Sequence, residues 1–184
     1  MRKRLTVGVA VAAVLLAACS GGRNPETTAS RTSSDVPASQ PRSGRTQPAK
    51  SLELPDKCAI VTEAQWRAMG ADQAPRPDEL SGTSGCRYQA GEAGTEGGWS
   101  VFVAADVKQT FRQFVDGYNN VEMTEVSGYR AGQIGTNQTN CILVVDVSDE
   151  GSLSIDTLSR TGDPHPCALS KQFAEAALQN LRDG

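Results

Sequence analysis

The sequence predicts one α+β domain over residues 51–184, an antiparallel sheet covered by helices, with element order α-β-β-α-β-β-β-β-α and two disulfides. Three observations carry that prediction. Short runs of alternating apolar residues, bounded by Gly, Asn, Asp and Ser, recur along the segment in the manner of strands joined by turns. Two other stretches space their apolar residues three and four apart, the period of a helix with one buried face. Four cysteines, Cys58, Cys86, Cys141 and Cys167, form an even set in the same region.

The elements follow in order. "VTEAQWRAMG" reads as a short helix: Thr62 with Gln65 three residues later makes a capping box, and Gly70 is a natural stop. "APRPDELSGTSG" reads as a loop, because Pro75 and Pro77 interrupt any pattern. "CRYQA" and "WSVFVAA" read as two strands joined by the Gly-rich "GEAGTEGG", a hairpin. Val107, Phe111, Phe114, Val115 and Tyr118 then share one helical face. "VEMTEV", "YRAGQIG", "CILVVDVS" and "SLSIDTLS" are the remaining strands, with "DEG" turning between the last two. The nearly continuous apolar run in "CILVVDV" suits a central strand. A final helix from about Pro166 to Arg182 turns Leu169, Phe173, Ala177 and Leu181 inward, joined by Ala174 and Leu178.

The N-terminal third has a different character. Arg2, Lys3 and Arg4 precede an apolar run from Leu5 to Ala18, 14 residues, too short to span a membrane and of the length of a signal peptide. "Leu16-Ala17-Ala18-Cys19" matches the bacterial lipobox, so residues 1–18 read as a lipoprotein signal peptide that is removed. Cys19, the odd one of five cysteines, reads as the lipidated mature N-terminus. A diacylglyceryl group with its palmitate-type acyl chains supplies the two hydrophobic signals that stable anchoring requires. Residues 19–50 then form a Ser/Thr/Pro/Arg tether without an aromatic residue, unable to bury enough surface to fold. As a coil it would span roughly 30 Å. The expected location is the extracellular face of the cell membrane, lipid-anchored.

Charge sharpens the division. The whole chain has 18 Lys plus Arg and 21 Asp plus Glu, but residues 51–184 hold 10 basic and 19 acidic residues, net −9. An acidic domain repels polyanions, which excludes a nucleic-acid partner. Outside the membrane the four domain cysteines sit where disulfides persist. Three connectivities are possible. Cys58–Cys86 and Cys141–Cys167 are favoured, closing separations of 28 and 26 residues. With no Cys-x-x-Cys pair and one histidine, a zinc site is not expected, nor any other metal or cofactor.

Catalytic constellations are thin. His165, between two prolines, has no G-x-S-x-G nucleophile to serve, and Glu92 and Glu96 in the glycine-rich loop would repel phosphate. Nothing in the spacing of Asp106, Asp116, Asp146 and Asp156 singles out a glycosidase-type pair. The expectation is therefore a non-catalytic module. Trp66, Trp99 and Tyr129 are the candidate binding surface for an envelope protein, glycan or lipid. Two alternatives stand beside it: a lipid or glycolipid carrier with an apolar cavity, and an envelope hydrolase.

The arrangement of lipobox, Ser/Thr/Pro tether, "LPDKC" before a short helix, "SGCRY", the strand holding Trp99, "CILVVDV" and a cysteine opening the last helix resembles an actinobacterial lipoprotein family of unknown function. More distantly it is similar to the extracellular sensor domains of receptor serine/threonine kinases. The resemblance covers most of residues 52–182 and implies no catalytic residues.

Overall fold

The computed structural model describes residues 45–92 and 95–184. The expected signal segment 1–18, Cys19 and the expected tether up to residue 44 lie outside the described residues. The fold is α+β, as the sequence predicts: seven antiparallel strands in the order β1-β2-β3-β7-β6-β5-β4, with helices on both faces. The strands are β1 (Arg76–Leu80), β2 (Thr83–Ala90), β3 (Trp99–Asp106), β4 (Glu122–Val126), β5 (Tyr129–Asn137), β6 (Asn140–Val145) and β7 (Ser152–Ser159). The helices are α1 (Glu63–Ala68), α2 (Phe111–Gly117) and α3 (Pro166–Asn180), preceded by a single 3-10 turn, Lys57–Ile60. Both disulfides form with the favoured pairing, Cys58–Cys86 and Cys141–Cys167.

The main core lies between α3 and the sheet. Leu169, Phe173, Ala174, Ala177 and Leu178 of α3 meet Leu143 and Val145 of β6 and Leu153 and Ile155 of β7. Phe173 is its hub: Tyr88 packs at 5.1 Å and Trp99 edge-on at 5.9 Å between ring centroids. On the opposite face α2 sets Phe111 and Phe114 on Ile134 and Val144. Gly132 makes that approach possible, since a Cβ there would stand 2.6 Å from Val121 Cγ1 and 3.4 Å from Phe114 Cε1. Because β6 alternates inward residues to both cores, its run reads as nearly continuous apolar sequence.

Both short helices start with a capping box. Thr62 and Gln65 satisfy each other's free backbone N–H at α1, as the sequence predicts, and Thr110 and Gln113 do the same at α2. Gly70 ends the first of these at φ +90°, a conformation that costs glycine nothing.

Three details differ from the sequence reading. Residues 76–80 and 83–85, expected to be loop, form edge strand β1 and the start of β2. An edge strand tolerates Pro77 because one side of its backbone needs no ladder partner. The second helix is shorter than its apolar spacing suggests: Val107 precedes it at 63 % exposure, and Tyr118 caps its end at 46 %. The ordered domain also starts before residue 51. Arg45 ion-pairs with Asp146 and Asp149 at 2.9 Å each, the Tyr129 hydroxyl donates to the Pro48 carbonyl at 2.9 Å, and Lys50 bridges to Asp183. Asp146 is buried and also receives Arg130 at 3.0 Å, so two guanidinium groups share one desolvated carboxylate.

Candidate functional site

A groove of about 520 Å³ opens beside the first disulfide. Its walls come from one local stretch of chain: Cys58 and Ala59 of the 3-10 turn with its cap Asp56, Glu63, Trp66 and Arg67 of α1 with its cap Thr62, and Asp72, Ala74 and Pro75 beyond it. The sequence builds it in steps. Asp56 starts the 3-10 turn by accepting from Cys58 N at 2.9 Å. Cys58 is then tied to Cys86 on β2, and the Tyr88 hydroxyl donates to the Cys58 carbonyl at 3.1 Å. Ile60 and Val61 sink into the core at 1 % exposure each, and Asn180 of α3 donates to the Ile60 carbonyl at 3.0 Å. The chain turns out again into α1, and Gly70 returns it to Asp72, whose carboxylate accepts from Gly91 N at 3.1 Å.

The charged groups on the rim are engaged. Glu63 pairs with Arg67 at 2.8 Å across one helical turn, and Arg67 lies over the Trp66 ring at 4.6 Å. Asp56 and Asp72 both accept from backbone N–H groups. The Tyr88 hydroxyl, behind the disulfide, is pushed well above its ordinary range by burial. It stays protonated at any physiological pH and serves as a donor.

Trp66, Trp99 and Tyr129 do not form one surface. All three belong to the α3-side core, with exposures of 6 %, 4 % and 5 %. Trp99 packs on Phe173, and Tyr129 is fixed by its bond to Pro48. Their area is spent on packing, as is usual for large rings in a chain with few of them. Of the three, Trp66 alone contributes to the groove. Apart from Cys58 and Thr62, which the sequence singles out for a disulfide and a cap, the other lining residues escaped sequence reading because they are ordinary small or polar residues. Their only signal was membership of a segment with a capping box and a cysteine.

A second polar region lies on the α2 side of the sheet, beyond α2. Strand register aligns Arg76, Arg87, Phe102, Asp156 and Ile142 in one row across β1, β2, β3, β7 and β6. Arg87 pairs with Asp78 and sits 5.6 Å over the Phe102 ring. The hydrogen bond from Arg87 holds the Asp78 carboxyl below its ordinary range, while burial pushes Asp156 up, partly opposed by Arg87. His165 is exposed at the start of α3, where it makes no side-chain capping bond. Among the described residues no group of three or more His, Cys, Asp or Glu is placed to hold a metal ion, and no helix is long and apolar enough to cross a membrane.

Fold and groove together define a disulfide-braced α+β domain with a small, mixed-polarity surface cleft. The chain belongs to the family described as "Protein of unknown function (DUF3558)", whose pattern matches residues 14–180. Comparison with curated proteins and with solved structures gives no match.

Proposed function

We propose that this chain is a membrane-anchored extracytoplasmic lipoprotein whose domain binds a protein, glycan or lipid partner of the cell envelope through the groove beside Trp66, without catalysis. The observation that carries the binding reading is the groove itself: an open cleft of about 520 Å³ with a tryptophan ring and aliphatic carbons on its walls and charged groups on its rim. The non-catalytic reading draws on how its carboxylates are spent. Asp56 and Asp72 cap backbone N–H groups and Glu63 faces Arg67, which leaves no pair free to act as acid and base. A lipid carrier would need an apolar cavity between sheet and helix. There Tyr88, Leu143 and Phe173 are fully buried against one another. Anchoring rests on the lipobox ending in Cys19.

The binding test places a photoreactive residue at Ala59 or Ala74 in the groove of the full chain in intact cells, with a control at exposed Arg112 of α2. A specific adduct from the groove positions and none from the control is the expected result. Equal or absent labelling at both overturns the binding reading. For the anchor, Cys19→Ser should move the protein from the membrane fraction to the soluble one, and persistence in the membrane fraction overturns it.

A further inference from the structure

The two disulfides differ in what can reach them. Cys141 is fully buried on β6 beneath α3, and Cys167 in the first turn of α3 is 9 % exposed. Cys86 on β2 is likewise fully buried. Cys58 is half-buried and lines the groove. The geometry points to Cys58–Cys86 as a thiol-exchangeable bond, opened from the groove by attack of an external thiolate on Cys58 Sγ, with Cys141–Cys167 as the permanent staple.

Exchange rates depend on access to the attacked sulfur and on the leaving thiol. In the second bond Cys167 is buried in the first turn of α3, at 9 % exposure. Its partner Cys141 presents no surface. In the first bond the leaving thiol Cys86 is fully buried, whereas Cys58 is half-buried and lines the cleft. Access decides, because a blocked sulfur reacts only after the domain opens.

The step balances as follows. An external thiolate, supplied by a dithiol such as a Cys-x-x-Cys oxidoreductase, forms a bond to Cys58 Sγ. The Cys58–Cys86 bond breaks, and Cys86 leaves as a thiolate that takes a proton from water. The second thiol of the reductant then attacks its own sulfur in the mixed disulfide, becoming oxidised and releasing Cys58 as a thiolate that is protonated in turn. The domain survives because the 3-10 turn keeps its other fastenings: Tyr88 to Cys58 O, Asn180 to Ile60 O, and the buried Ile60 and Val61 side chains. What changes is one wall of the groove, no longer tied to β2. That effect on binding rests on the groove being the binding site, whereas the thiol chemistry does not.

The test treats the oxidised full chain with glutathione in mildly alkaline native buffer, quenches with acid, and maps adducts by peptide mass spectrometry. The glutathione adduct is expected on Cys58, with Cys86 as the free thiol. A parallel reaction with dithiothreitol, quenched with maleimide, should label Cys58 and Cys86 at least about tenfold faster than Cys141 and Cys167. The near-ultraviolet circular dichroism of the aromatic core should be retained while the first bond opens. An adduct on Cys86, equal rates for the two bonds, or earlier labelling of Cys141 and Cys167 overturns the proposal. A Cys58 adduct without a groove photo-adduct removes only the binding reading, and the reverse result removes only the exchange.

Discussion

The two faces of the sheet use the same strands and reach different ends. On the α3 face 27 buried residues among those described join into one core, running from Leu52 and Trp66 to Tyr129 and centred on Phe173. On the α2 face the buried cluster has four members, Phe111, Phe114, Ile134 and Val144, and the sheet beyond it carries Arg87, Asp78 and Asp156. Alternation along each strand sends neighbouring residues to opposite faces, so one sheet holds a thick continuous core and a thin local one. Stability should therefore concentrate on the α3 face, while the α2 face is freer to carry charge.

Phe173→Ala tests the strong side and should have the largest effect. Its ring touches Tyr88 and Trp99 at the centre of the main core, where neighbours on both sides prevent collapse. A loss of about 3–5 kcal/mol is expected, read as a lower denaturant midpoint. Phe114→Ala tests the thin side. The residue is equally buried, but its cluster is small and α2 spans only seven residues, so the site can settle. A loss of about 2–3 kcal/mol is expected. If it equals or exceeds that of Phe173→Ala, the contrast between the faces is wrong.

The smallest effect concerns charge on the α2 side. Burial raises the Asp156 carboxyl above its ordinary range, so the folded chain holds that proton to higher pH than the unfolded chain does. Stability contributed by the protonated form is complete below about 3.8, the ordinary value, and falls as pH rises to the raised value in the fold. Asp156→Asn removes that slope. The variant should gain on the parent from acid toward neutral pH in denaturant midpoints measured along a pH series. A constant offset would mean that the carboxyl is not held in a desolvated state.

Much of the fold was legible because the signals were local or strongly periodic. Strand β7 matches "SLSIDTLS" residue for residue, and the six residues predicted to turn inward from α3 and its C-cap are all buried, although Ser170 and Ala176 are buried there too. What was hidden depends on place rather than pattern. Pro77 says "not a strand" only if the strand is central, and the sequence does not say which strands lie at the edge. Val107 fits the helical period and yet stands outside α2, because the capping box at Thr110 starts the helix later. Arg45 looks like tether by composition, and its partner Asp146 is 101 residues away. The candidate site was the least legible. A groove is a gap between elements, and Asp72 or Ala74 carries no motif that announces one.

The fastening of residues 45–50 has a mechanical meaning. Lys50 N donates to Val147 O at 2.8 Å, Gly184 N to Ala49 O at 2.8 Å, and Arg45 clasps the buried Asp146 just beyond β6. Force arriving along the chain at residue 45 would meet two ion pairs and then a short ladder to residues 182–184, before it could reach the seven-stranded sheet. A pull from that direction would load that reinforced corner first.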